Sequence, residues 1–156
     1  MKVQAIPAVL AMLVFCAGMR AADDPLLGTW KMNLAKSKHS PGPPPKSVTH
    51  IYEPHETTGE KFTADGIDAQ EAPTHIEYAA RYDGTDYALA GDPICDSVSM
   101  RRLDDYTTEV IGRQSGRVVW TSRRVVSKDG RTLTITQKGP NPGGKALNNV
   151  MVFDKQ

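Results

Sequence analysis

Two pairs of adjacent arginines, Arg101-Arg102 and Arg123-Arg124, are the residues of this chain best suited to bind something. Both pairs lie in segments rich in Val, Ser and Thr, and successive side chains of a strand point to opposite faces. If both segments are strands of one closed sheet, one arginine of each pair points inside. Parity selects Arg102, which shares a face with Val98 and Met100, and Arg124, which shares one with Val118, Trp120 and Val126. An enclosed guanidinium needs a partner, because an unpaired buried charge costs several kcal/mol. A bound carboxylate or phosphate would match its planar fork. Glu109 or Glu77 could instead complete an internal ion pair, or the arginine could sit at the mouth and reach water by its stem.

The four histidines form no ligand pair by spacing. His50 and His55 are separated by a break at Pro54, His39 lies beside a proline run, and His75 shares a strand face with Glu77. A cluster of His50, His75 and Glu77 would need a strand pairing that nothing in the sequence fixes, so these side chains are expected in solvent or at a rim, without a metal. The adjacent carboxylates Asp23-Asp24 and Asp104-Asp105 suit a chain terminus and a turn better than acid–base chemistry. No Gly-x-Ser-x-Gly, phosphate loop or zinc helix occurs. No catalytic residue and no cofactor are assigned. Whether the chain is an enzyme stays open, with binding preferred and a haem-dependent activity kept as a third class.

Residues 1–22 have the layout of a secretory signal peptide: Lys2, an apolar stretch from Ala5 to Gly18, then Ala21 and Ala22. The apolar stretch is shorter than the roughly twenty residues that cross a bilayer, and it contains Pro7, so no stable membrane span is expected. Phe15 before Cys16 does not suit a lipidation signal. The expected location is exported, periplasmic or extracellular, and the expected domain is 23–156. A cut after Gly18 is the alternative to one after Ala22. The cut after Ala22 takes the basic count from 19 to 17 against 18 acidic residues, a formal charge of −1. That balance offers no field for nucleic acid. Cys95 is then the only thiol, which excludes an internal disulfide. A mature chain of about 135 residues makes one domain, and its oligomeric state is not legible.

Turn signals recur every eight to twelve residues between segments rich in Val, Ile, Thr and Tyr, the spacing of an antiparallel sandwich or barrel. The first strand is expected over Gly28–Leu34, with Trp30, Met32 and Leu34 inward. The connector 35–46 carries Pro41-Gly42-Pro43-Pro44-Pro45 and reads as a stiff exposed loop. Further strands are expected at 47–53, 60–69, 74–82, 85–90, 97–103, 106–113, 117–126, 132–138 and 147–153. Asp83-Gly84 suggests a tight hairpin. No helical period persists for three turns, so almost no helix is expected after the leader. Short connections favour a meander, and closing it hides its edges. The fold expected is all-β, an antiparallel up-and-down β-barrel of about eight to ten strands.

Two short motifs carry a family resemblance. Gly28-Thr29-Trp30-Lys31 resembles the Gly-x-Trp opening of calycins, the lipocalins and fatty-acid-binding proteins, and Phe153-Asp154-Lys155 resembles the Tyr-Glu-Lys that closes the latter. Most of the mature chain is also similar to small uncharacterised bacterial secreted proteins, a resemblance that implies no function. The calycin resemblance implies a barrel around one small ligand. The helical lid of fatty-acid-binding proteins has no counterpart in the proline-rich connector. Their carboxylate-holding Arg and Tyr correspond to Met151 and Phe153, which cannot hold a carboxylate in that way. The lipocalin pattern further implies that Arg123 or Arg124 packs over Trp30.

The expected function is an exported barrel holding a hydrophobic or amphipathic molecule, in one variant anionic. Its expected ligand-binding residues are Trp30, Arg102, Trp120, Arg124, Met151 and Phe153. The alternative is a packed barrel acting as a structural, protein-interaction or inhibitor domain.

Overall fold

The computed structural model describes residues 24–140 and 146–156. The leader, its cleavage point and most of the break at 140–144 lie outside the described residues. The strands are β1 (Gly28–Met32), β2 (Ser47–His55), β3 (Gly59–Ile67), β4 (Pro73–Arg81), β5 (Tyr87–Ala90), β6 (Ser97–Asp104), β7 (Thr107–Gln114), β8 (Arg117–Val126), β9 (Thr132–Gly139) and β10 (Leu147–Lys155). They close into one antiparallel barrel of ten strands, each beside its sequence neighbours, with β1 joined to β10. The fold expected from the sequence is therefore the one observed.

Alternation produces this wall. On β3, Glu60, Phe62 and Ala64 are buried, while Lys61 and Asp65 on the other face are exposed. On β8, Trp120, Arg124 and Val126 are buried between exposed Thr121, Arg123 and Val125. Each strand thus gives one face to the interior and one to the outside. Charged residues on the outer face, including Lys31, Glu53, Lys61, Glu77 and Arg101, are costly against hydrocarbon. Among the described residues, no helix is long and apolar enough to cross a membrane.

The turns follow their chemistry. Ser115 and Gly116 both take positive φ, 50° and 78°, the primed hairpin geometry that matches strand twist. Asp104 and Asp129 accept from the backbone N–H of Tyr106 and Arg131 two residues on, at 2.8 and 3.1 Å.

Two local expectations fail. The first strand stops at Met32, and Leu34, expected inside, sits 43% exposed in a single 3₁₀ turn over Leu34–Lys36. The cause is Asn33, whose side-chain oxygen accepts from Lys36 N at 3.2 Å and whose amide donates to Asp154 at 2.8 Å. These local bonds turn the chain out of the ladder. The connector then rejoins β10, with Lys38 and Val150 exchanging backbone bonds of 2.7 and 2.8 Å. The tight hairpin at Asp83-Gly84 is the second failure. Gly84 N donates instead to Met100 O on β6 at 2.9 Å, and β5 begins only at Tyr87. Asp83 accepts from Thr85 N and from the Tyr87 hydroxyl, which hold its carboxyl down to about 2. The Asx bonds make a wider loop than the dipeptide suggested.

Candidate ligand cavity

The barrel has one filled end and one hollow end. At the filled end Trp30 and Phe153 are fully buried, and Trp30 Nε1 donates to Leu26 O at 2.7 Å. The ring over which a lipocalin-like arginine was expected is covered instead by Lys155, whose Nζ lies 4.9 Å from its centroid. Lys155 pairs in register with Trp30 across the closing seam, so it reaches the ring first.

Arg102 also belongs to the filled end. It is half-buried, donates to Asp24 and, at 2.7 Å, to the Tyr82 hydroxyl, and lies over the Tyr82 ring. Tyr82 in turn donates to Glu60 Oε2 at 2.5 Å. Glu60 Oε1 accepts from Tyr78 at 2.7 Å and from Arg124 Nη1 at 2.6 Å. A chain of charged and phenolic groups thus runs from Asp24 to the middle of the barrel. Glu60 is 0% exposed and Arg124 4%, so this ion pair is largely withdrawn from water. Burial works against the Arg124 charge, but Glu60 and the neighbouring tyrosines hold the guanidinium protonated. Burial also raises Tyr52 to about 12 and Tyr78 well above its ordinary value, so both keep their hydroxyl protons.

Parity therefore selected the more buried member of each arginine pair, while the carboxylates offered as internal partners, Glu109 and Glu77, are not those that Arg102 and Arg124 meet. Glu109 lies outside, 3.8 Å from exposed Arg123. Glu77 is also outside, 3.6 Å from His75, whose Nδ1 meets Asp65 at 2.6 Å. Two carboxylates facing His75 raise its pKa. His50 is on the other side of the wall, so the grouping of His50, His75 and Glu77 does not exist.

Above Arg124 the barrel opens into a cavity of about 360 Å³. Its floor is Arg124 and Tyr52, and its walls include Met32, His50, Phe62, Tyr78, Trp120 and Met151. Its mouth is formed by His39 and Pro45 of the connector together with Asp65, Asp92 and Ile94. Of the six residues expected to bind a ligand, Trp120, Arg124 and Met151 line this space, while Trp30, Arg102 and Phe153 lie in the filled end. Phe153 still supports the wall, with its ring 4.2 Å from that of His50. Cys95 is buried, and burial raises its thiol to about 11, which makes it a poor nucleophile.

His50, expected at a rim, is the interior residue that sequence reasoning missed together with Glu60. Both share strand parity with buried aromatic residues, Tyr52 and Phe62 respectively, and that parity was the available signal. Burial, and secondarily the Arg124 charge, lower His50 from 6.5 to about 3. Between those values the unfolded chain binds a proton that the folded barrel refuses. The stability tied to neutral His50 is complete above about pH 6.5 and is lost as the pH falls toward 3, at about 1.4 kcal/mol per pH unit. His50→Phe should flatten the acid limb of a urea-unfolding pH series by that slope. Parallel curves for the two proteins would disprove the assignment.

Trp120 is placed by a glycine. Gly112 pairs with it in register, beside a bulge between β7 and β8, and a Cβ on Gly112 would lie 2.3 Å from Trp120 Cε2. The indole therefore fills the space a side chain would take. Gly112→Ala should displace it at a cost of about 1–3 kcal/mol, as overpacking does. A near-ultraviolet dichroism spectrum identical to the wild type would contradict that packing.

Among the described residues, Trp120 Nε1 and Arg124 Nε are buried with no hydrogen-bond partner. Buried donors left in this way cost about 1–3 kcal/mol each. No group of three or more metal-ligating side chains occurs among the described residues. No family model matches the chain, and no curated protein matches it.

Proposed function

We propose that this protein is an exported, calycin-like container that holds one small hydrophobic or amphipathic molecule in the barrel. The cavity carries this reading. Its volume of about 360 Å³ lies within the range of small-molecule sites, about 300–1,000 Å³. Apolar side chains, aliphatic, aromatic and thioether, dominate its walls, and a few polar groups are fixed among them, the combination that binds and orients a ligand. The Gly28-x-Trp30 opening supports the calycin part.

Native mass spectrometry of protein purified from its own envelope fraction tests the proposal. A co-purifying molecule of defined mass is the expected result. A panel of amphipaths and apolar ring compounds should contain members that raise Tm by several degrees, since ligand at about a hundred times its Kd stabilises by about 2.7 kcal/mol. A bare mass together with an unmoved Tm across the panel would overturn the proposal and leave a packed interaction or inhibitor domain.

A further inference from the structure

We infer that the cavity selects an uncharged, flat aromatic molecule, and that Glu60 sets the charge preference by occupying Arg124. The inference rests on the cavity being a ligand site.

Charge is the first consideration. Arg124 is the only arginine or lysine among the described residues that line the cavity, and Glu60 already holds it at 2.6 Å. An anionic head group could gain that guanidinium only by displacing Glu60. Glu60 would then be a carboxylate at 0% exposure with no cation, a more costly state than the pair it left. Asp92 in the cavity lining adds a second carboxylate unfavourable to an anion. A cation fares no better at that depth. A ligand ammonium on the cavity floor would lie against the like charge of the Arg124 guanidinium, away from bulk water.

Shape is the second consideration. On β3 and β4, the rings of Phe62 and Tyr78 stack at 4.9 Å with planes 28° apart, and His50 meets Phe62 edge-on at 4.9 Å. β8 stands five places from β3 in either direction around the ring of ten strands, so Trp120 comes from the opposite wall. Its indole lies over Gly112. Phe62 and Tyr78 on one wall and Trp120 on the other thus offer aromatic rings across the space, among aliphatic side chains such as Val110 and Ile135, which favours a planar ring that can stack with either wall.

The test compares ligands that share a skeleton. N-phenyl-naphthylamine is uncharged, and anilinonaphthalene sulfonate adds one sulfonate to the same rings. Fluorescence titration of the purified protein should show one-to-one binding of the amine, with the sulfonate at least about tenfold weaker. A long-chain alkanol, uncharged and flexible, should displace the amine only at higher concentration than a neutral three-ring aromatic requires.

Equal or tighter binding of the sulfonate would overturn the charge assignment, and an alkanol that competes as well as the aromatic would overturn the shape assignment. Either result would leave the container itself standing. Failure of every probe to bind would instead remove the container.

Glu60→Gln frees Arg124 with little change in shape, and it should raise sulfonate affinity at least about tenfold relative to the amine. Ser122→Lys, on the cavity wall two places along the same face of β8 from Arg124, supplies a second cation should Glu60→Gln fail to fold. It should produce the same reversal. An unchanged ratio in either folded variant would refute charge as the basis of selection.

Discussion

Glu60→Ala is expected to lower the unfolding free energy by about 3–5 kcal/mol, while Glu60→Leu combined with Arg124→Met should recover part of that loss. Asymmetry between breaking a buried pair and replacing it underlies the difference. The single substitution leaves Arg124, 4% exposed, as an uncompensated charge. It also strips the acceptor from the Tyr78 and Tyr82 hydroxyls, which donate to Glu60 at 2.7 and 2.5 Å. Those phenols cannot adapt by ionising, because burial holds both pKa values high. The double substitution fills similar volume with apolar side chains and leaves no charge to desolvate, although the Tyr78 and Tyr82 hydroxyls still lose their acceptor. Urea unfolding of wild type, Glu60→Leu, Arg124→Met and the double variant forms a closed cycle, whose coupling term isolates the pair. A single-variant cost below about 1 kcal/mol would mean that the pair is hydrated, as exposed pairs are.

Trp30→Ala should cost a comparable amount, about 3–5 kcal/mol, the scale for deleting a buried aromatic side chain. Trp30 is fully enclosed, pairs with both β2 and β10, and lies under the Lys155 ammonium. Its loss would hollow the filled end at the one place where the sheet joins its own beginning. Trp30→Phe keeps most of the apolar volume and removes the N–H that satisfies Leu26 O, so about 1–3 kcal/mol is expected there. Because Trp30 does not line the cavity, probe affinity in folded Trp30→Phe should match the wild type. A large change in affinity with little change in stability would put Trp30 back in the binding site.

The barrel was legible because its information is local. Alternation in segments such as Phe62-Thr63-Ala64 and Ser115-Gly116 in a hairpin position can be read without knowing any distant neighbour. The inward members of the arginine pairs were legible for the same reason, since parity is a property of one strand. Their partners were not. Arg124 and Glu60 are 64 residues apart in sequence, and the choice among Glu60, Glu77 and Glu109 depends on which strands meet across the interior. Glu77 and Glu109 could have been rejected by parity, for each follows the outward face of its own strand. The split into a filled and a hollow end lay further out of reach. It depends on how far Trp30, Phe153 and the Glu60 network fill one end, a sum over all ten strands. Leu34 failed for the opposite reason, a single Asn33 whose local bonds overrode an otherwise regular pattern.

Nine of the ten strand pairings join sequence neighbours, and only β1 with β10 brings distant chain together. Asn33 and Asp154, which meet at that seam, are 121 residues apart. Loop-closure entropy grows only with the logarithm of length, so this junction costs about 2 kcal/mol more than closing a ten-residue hairpin. The hairpins can form from local contacts in any order, and the seam rewards them only when both ends are present. A chain that lacks its last strand would leave β1 and β9 with open rows of N–H and C=O groups, the template for aggregation. Closure thus acts as a completeness check: only the finished chain conceals its edges.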